Sequence, residues 1–374
     1  MRSPFRIKEA IMDLFEFADY AKAECERVRN RLPEKKDGSL RFAFLTDMHY
    51  KALDSMRAAV SNIVHTLNEL NRTEKIDFVC LGGDNVGNYP GTPEDHIRMM
   101  NELHDLLSHL EMPWFLVHGN HDDNSIHGRI EEGSEIARAG FEIRTEQQYD
   151  ILFSHAEKYE NYHTPEGKKL YGYYDIPGAD TRVLFLNTSD IPYIVGDDGI
   201  LKYTGQWNFA YSGDQLEFVI EALKDAPENL FIFQHGSAPN QYVTMEFVEN
   251  YDAMNNILTA FKNGSYFCAK RDHEDFGFDI EADFIGKQHR IPAKITGHCH
   301  ADLSFEERAG FLNITTMLAG RKNSGWKPNG KGVLFEREPY SDKETSVDIF
   351  TFDPKEYTLT ATRYGSGEDR KFDI

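Results

Sequence analysis

The sequence predicts an α/β protein with a parallel sheet at its heart and extra antiparallel strands towards its C-terminus. Three observations carry that expectation. Four short apolar runs each end in a block rich in Gly, Asp, Asn or His, stretches of helical period lie among them, and beyond residue 300 strand and turn patterns take over.

Taken in order, residues 7–32 place Ile7, Ile11, Leu14, Phe15, Phe17, Ala18, Ala21 and Val28 at near-helical spacing among charges. The expectation is a helix packed on the outside of the core. Pro33 to Gly38 breaks it, so residues 1–38 read as an N-terminal helical element and 39–374 as the main domain. Leu40 to Thr46 is the first strand and ends at Asp47. The stripe Ala59, Val60, Ile63, Val64, Leu67 and Leu70 is a helix, and Phe78 to Leu81 a strand running into Gly82-Gly83-Asp84. Ile97, Met100, Leu103, Leu107 and Leu110 form the next helix face, and Trp114 to Val117 runs into Gly119-Asn120-His121.

Residues 123–175 and 237–291 are irregular and aromatic-rich, and are expected to be insertions that rim a site. Between them, a helix over 213–225 turns Leu216, Val219, Ile220 and Leu223 inward, and Leu230 to Phe233 is a strand ending at His235. The C-terminal strand region, 311–364, holds Phe311 to Thr315, Val333 to Phe335, Val347 to Phe352 and Tyr357 to Tyr364. Asp353-Pro354-Lys355-Glu356 is a hairpin connection between the last two. In open α/β sheets, sites assemble at the carboxyl ends of strands, which is where these polar blocks fall.

Composition narrows the class of function. A chain of 374 residues with 40% hydrophobic and 13% aromatic content can bury a sizeable core. Cys25, Cys80, Cys268 and Cys299 form neither a disulfide framework nor a zinc-type C-x-x-C, so reduced thiols in the cytoplasm are expected. No apolar run follows Arg2, Arg6 and Lys8, and no uninterrupted apolar stretch reaches ~18 residues, so neither a secretory leader nor a membrane span is expected. The net charge of −21 argues against bulk nucleic-acid binding.

The polar blocks are Asp47-Met48-His49, Gly83-Asp84, Gly119-Asn120-His121-Asp122, a single His235, and Gly297-His298-Cys299-His300. Asp47 to Asp84 spans 37 residues and Asp84 to Asn120 spans 36, each about one strand-helix-strand unit. Singly, each has an ordinary structural explanation: Asp47 as a helix cap, the Gly-Asp and Gly-Asn pairs as turns, His235 as a buried structural histidine. In this order the five blocks resemble the calcineurin-like metallophosphoesterase superfamily, in a bacterial or phage-type member. The resemblance spans roughly residues 40–320.

That resemblance implies a four-layer α/β/β/α sandwich of the metallo-dependent phosphatase type. It implies one metal on Asp47, His49, Asp84 and His300 and another on Asp84, Asn120, His235 and His298, with Asp84 shared. Such mixed imidazole and carboxylate donors suit Mn, Fe, Zn or Co. Two close metals lower the pKa of a bridging water and hold a phosphate oxygen, so the implied chemistry is phosphoester hydrolysis by attack of a bridging hydroxide. His121 matches the histidine that protonates the leaving alkoxide or stabilises the phosphoryl group. Cys299, between two ligands, reads as a packing residue, and His118 as a structural histidine rather than as support for the ligands.

One departure stands out. Where many relatives carry Asp three residues after the shared aspartate, this chain has Gly87, which leaves Asp122 and Asn88 as candidates to orient His121. The run Arg321 to Lys331 carries four cations and no acid, so Arg321 is a candidate phosphate contact beside Asn120 and His121. The expected partner is a small phosphoester; monoester, cyclic nucleotide, other diester and phosphoprotein all remain open. The competing reading is a catalytically inactive scaffold of the same fold, against which His121 argues.

Overall fold

The computed structural model describes residues 12–87, 91–236, 248–320 and 337–374, together with the backbone of 325–326 and 332–333. Two sheets lie face to face between two layers of helices. The first has the strand order Arg370–Asp373, Thr358–Gly365, Ser346–Asp353, Leu40–Leu45, Phe78–Leu81, Trp114–Leu116. Its last three strands are parallel, and Leu40 pairs antiparallel with Phe352. The second runs Leu303–Glu306, Leu312–Thr315, Ala293–Thr296, Asn229–Gln234, Thr181–Phe185, Gly172–Asp175, Tyr162–His163, with its middle four strands parallel.

Alternation along each strand decides which layer it feeds. In Leu40–Leu45, Leu40, Phe42 and Phe44 point between the sheets, where they meet Phe78, Phe115, Phe231, Phe233 and Phe350. Ala43 and Leu45 point the other way, onto Val60, Ile63, Val64 and Leu67 of helix Asp54–Glu74 and Met100 and Leu103 of helix Pro93–Leu107. In the second sheet Leu184, Leu230 and Ile232 face helices Gly213–Lys224 and Tyr251–Asn263. The four layers α/β/β/α predicted above are therefore present. Side-chain caps set two helix starts: Thr92 accepts the Asp95 N–H ahead of Pro93, and Ser212 accepts the Gln215 N–H.

The N-terminal helix is shorter than periodicity predicts. It spans Asp19–Arg29, and residues 12–18 are neither helix nor strand. Side chains of helix Asp54–Glu74 and of the turn after helix Pro93–Leu107 capture their backbone: Ser61 Oγ accepts from Phe15 N–H, Asn62 Oδ1 accepts from Ala18 N–H, and His65 and His109 bond the Phe15 and Met12 carbonyls. Residues 1–11 lie outside the described set. The stretches expected to be irregular also carry regular structure: 123–175 supplies the edge strands Tyr162–His163 and Gly172–Asp175, and 237–291 holds helix Tyr251–Asn263 and the hairpin Tyr266–Arg271 with Phe278–Asp283. Helix Tyr251–Asn263 does carry a stripe at helical spacing, Ala253, Met254, Ile257, Leu258, Ala260 and Phe261, which the expectation above passed over. Among the described residues no helix is long and apolar enough to cross a membrane.

Candidate metal centre

The parallel strands of both sheets end at one edge of the sandwich, and the five polar blocks sit in the loops just beyond. Backbone bonds lace these loops together. Asp47 N–H donates to the Gly83 carbonyl, His49 N–H to Asp84, and Gly297 N–H to His235. Across the sheets, His298 N–H donates to Asp47 Oδ2 at 3.0 Å, and Ala319 N–H donates to the Thr46 carbonyl. Approach this close leaves no room for side chains: a Cβ on Gly119 would stand 1.9 Å from the Asp84 nitrogen.

Five of the predicted ligands have left-handed backbones, with φ of 54° at Asp47, 44° at His49, 50° at Asp84, 69° at His298 and 54° at His300. Each such non-glycine conformation costs of order 1–3 kcal/mol and persists only where its surroundings over-determine it. The loops are thus bent to aim side chains rather than to relax the chain.

Those side chains converge in two clusters. In the first, Asp47, His49, Asp84 and His300 place one donor atom each within 4.8 Å of all the others, and Asp47, His49 and Asp84 are buried. His300 Nε2 stands 3.3 Å from His49 Nε2 and 3.1 Å from Asp47 Oδ1, and His49 Nε2 stands 3.6 Å from Asp84 Oδ2. Two ligands of one ion, each about 2.0–2.2 Å from it, stand roughly 3.0–3.6 Å apart. Asp47 Oδ1 is buried without a hydrogen bond despite its closeness to His300, as expected of neighbouring donors to a common cation. This donor set fits a divalent ion.

In the second cluster, His235 Nε2 lies 3.4 Å from Asp84 Oδ1 and 3.0 Å from Asn120 Oδ1, and His298 Nδ1 lies 3.0 Å from the same amide oxygen. The other His235 nitrogen, Nδ1, bonds the Gly82 carbonyl at 2.8 Å, which assigns its proton there and leaves Nε2 as the lone-pair end. Asp84 belongs to both clusters, turning Oδ2 to the first and Oδ1 to the second.

Electrostatics follow from packing carboxylates and imidazoles out of water. Burial would raise the Asp84 pKa, yet His235, His121 and His49 hold it well below the usual carboxylate range. Burial opposes charge on His235, but Asp84 and Asp47 outweigh it and push its pKa up to about 9. His298, buried beside that charge, drops to about 3. In the metal-free chain a proton on His235 Nε2 offsets one of the two carboxylate charges, and a bound cation would take its place.

His121 lies beside the clusters, with Nε2 3.7 Å from Asp84 Oδ2 and its ring edge-on to His49 at 5.1 Å, and its backbone N–H donates to Asp84 Oδ1. Asp122, a candidate to orient it, accepts instead from Asn85 Nδ2 and from the Gly119 and Val86 N–H groups. Burial, with Asp84 nearby, pushes its pKa up to about 7. Its part is to brace the loops carrying Asp84 and Asn120. A Cβ on Gly87 would stand 2.6 Å from the His49 carbonyl oxygen, so the chain path here excludes a side chain at that position. Asn88 and Arg321 lie outside the described residues.

His118 is buried behind the site, with Nδ1 3.1 Å from Asn187 Oδ1, and burial lowers its pKa to about 4. Cys299 joins the hydrophobic cluster between the second sheet and its helices. Sequence reasoning missed the segment 204–209, whose Gln206 carbonyl accepts from Asn120 Nδ2 at 3.5 Å and whose Phe209 ring stands edge-on to His298. Asp123 Oδ2 fixes this segment by accepting the Gly205 N–H. The only sequence signal was the acidic pair after His121, and nothing in it points to a partner 82 residues away.

Comparison with known proteins gives a family and a fold. The model of the calcineurin-like phosphoesterase family matches residues 40–302. A dimetal phosphatase from Danio rerio is similar in fold, with a TM-score of 0.54 at 11% identity, covering 89% of this chain and 98% of that one. A 5'-nucleotidase from Candida albicans aligns with a TM-score of 0.40 at 12% identity, over 85% of this chain and 48% of that chain. No curated protein matches the sequence.

Proposed function

The chain belongs to the calcineurin-like phosphoesterase family and is a metallophosphoesterase, and we propose that it hydrolyses small phosphoesters at a dinuclear centre. The observation that carries this reading is Asp84, whose two carboxylate oxygens face different donor clusters 3.6 and 3.4 Å from His49 and His235. We assign Asp47, His49, Asp84 and His300 to one ion and Asp84, Asn120, His235 and His298 to the other. Mn, Fe, Zn and Co fit this donor set. Bound there, the ions supply Lewis acidity to a phosphoryl oxygen and lower the pKa of a water.

The remaining work falls to side chains of this protein. Hydrolysis places the oxygen of water on phosphorus and a proton on the departing oxygen. His121, at the edge of both clusters and partly open to solvent, is suited to deliver that proton. Gly82, through its bond to His235, and Gln206, through its bond to Asn120, hold two ligands in their working orientations. Arg321 remains our candidate for a contact to the substrate phosphate. The absence of a disulfide among the described residues, which include all four cysteines, supports a reducing, cytoplasmic setting.

The test is to strip the purified protein with a chelator, restore Mn²⁺, Fe²⁺, Zn²⁺ or Co²⁺ one at a time, and assay p-nitrophenyl phosphate, bis-p-nitrophenyl phosphate and a cyclic nucleotide. We expect hydrolysis of at least one ester to vanish and return with metal. Activity indifferent to chelation would remove the proposal.

A further inference from the structure

We propose that Arg363, on a C-terminal strand beyond the residues matched by the family, is a positioning residue for the metal centre, holding the His298 to His300 loop in place through Asp302. This inference rests on reading those two histidines as metal ligands.

His298 and His300 both adopt left-handed backbones, at φ of 69° and 54°, two strained residues in a stretch of three. A loop so bent springs back unless it is held on both sides. On one side the Asp47 carboxylate takes the His298 N–H at 3.0 Å. On the other, two residues past His300, Asp302 Oδ1 accepts from Arg363 Nη2 at 2.7 Å and from the Met317 N–H at 2.9 Å.

Arg363 does not belong to the sheet that carries this loop. It lies on strand Thr358–Gly365 of the first sheet and reaches the second, and its residue is 1% exposed. Its guanidinium is fixed from behind: Nε and Nη2 meet the two oxygens of buried Asp348 at 2.8 and 3.1 Å, and Nη1 donates to the Ser366 carbonyl at 2.9 Å. Arg370 braces the same group, donating to Asp348 Oδ2 at 2.6 Å and to the Thr315 carbonyl at 3.0 Å. A planar fork engaged at three edges is a rigid strut, which a flexible ammonium at the same place could not reproduce. The last strands thereby set where His300 points, although they contribute no ligand.

Two variants separate positioning from stability. Asp302→Asn keeps the acceptor for Met317 and leaves Arg363 on Asp348, while weakening the link to the loop. Arg363→Lys keeps a charge and loses the fork. Glu307→Gln serves as control, because it disturbs a buried pair with Lys294, 3.0 Å away in the same sheet, without touching the loop. Mn²⁺ affinity of the chelator-treated proteins is measured by calorimetric titration, Co²⁺ absorption bands report ligand geometry, and thermal midpoints are taken without metal.

The expected result is a loss of about 10-fold or more in Mn²⁺ affinity and altered Co²⁺ bands in Asp302→Asn and Arg363→Lys, with Glu307→Gln lowering the midpoint but binding as wild type. Wild-type affinity and spectra in both variants would overturn the inference, as would an equal affinity loss in Glu307→Gln. Failure of the wild-type protein itself to bind Mn²⁺ or Co²⁺ would instead overturn the metal-centre reading on which it rests.

Discussion

Asp84 Oδ1 stands 3.4 Å from His235 Nε2 although the two residues follow strands of different sheets. The interlayer core brings them together. Packing of Phe42, Phe44 and Phe78 on Phe233 sets the distance between the sheets, and the loops at their common edge inherit it. A mutation in that aromatic layer would therefore act on the metal centre by changing sheet separation, without touching a ligand.

The same pair predicts how metal is lost. Asp84 supplies charge to both clusters and His235 a neutral nitrogen to one, so Asp84→Asn should leave well under one equivalent of bound metal. His235→Ala should retain about one of two. Elemental analysis of both variants dialysed at matched metal concentration checks this. Equal occupancy in the two would contradict the shared-ligand assignment.

His121 is expected to reveal its role through the leaving group. p-Nitrophenolate departs readily without a proton, whereas an alkoxide needs one in the transition state. His121→Gln should therefore lower kcat roughly 10²-fold or more on alkyl phosphoesters and much less on p-nitrophenyl esters, with metal content retained. Equal losses on both would assign the histidine to charge stabilisation and withdraw the proton-donor role.

Gly119→Ala tests the close approach of the two loops. The added methyl would collide with the Asp84 backbone nitrogen and with its carboxylate, which already accepts the His121 N–H. We expect a loss of stability of about 1–3 kcal/mol in urea unfolding and weaker metal uptake. Wild-type stability together with wild-type uptake would show that the loops can part at little cost.

How much of this was legible in the sequence depends on the range of the interaction. Strands such as Phe78–Leu81 and helices such as Gly213–Lys224 follow from local period, and the five ligand blocks from their order. The non-helical course of residues 12–18 was not legible, because Ser61, Asn62, His65 and His109 bond that backbone from elsewhere in the chain. Nor was the bracing role of Asp122: adjacency to His121 suggested a partner, whereas the carboxylate serves Gly119, Asn85 and Val86. The link from Asp302 to Arg363 joins residues 61 apart on different sheets, and no local pattern announces it.

Behind this bracing, His96 gives the fold a pH dependence of its own. It is fully buried, its Nε2 bonds the Asp122 carbonyl at 3.0 Å, its Nδ1 makes no hydrogen bond, and burial lowers its pKa from 6.5 to about 4. The unfolded chain takes up a proton near pH 6.5 while the folded chain resists it until about 4. Its contribution to stability is therefore complete above pH 6.5, falls as pH drops from there towards 4, and levels off below. Between pH 7.5 and pH 5 the loss amounts to about 2 kcal/mol. His96→Gln keeps a donor for the Asp122 carbonyl but cannot titrate, so in urea unfolding with chelator present it should lose about 2 kcal/mol less than wild type over that interval. Parallel pH profiles for the two proteins would show that His96 does not carry the acid sensitivity assigned to it.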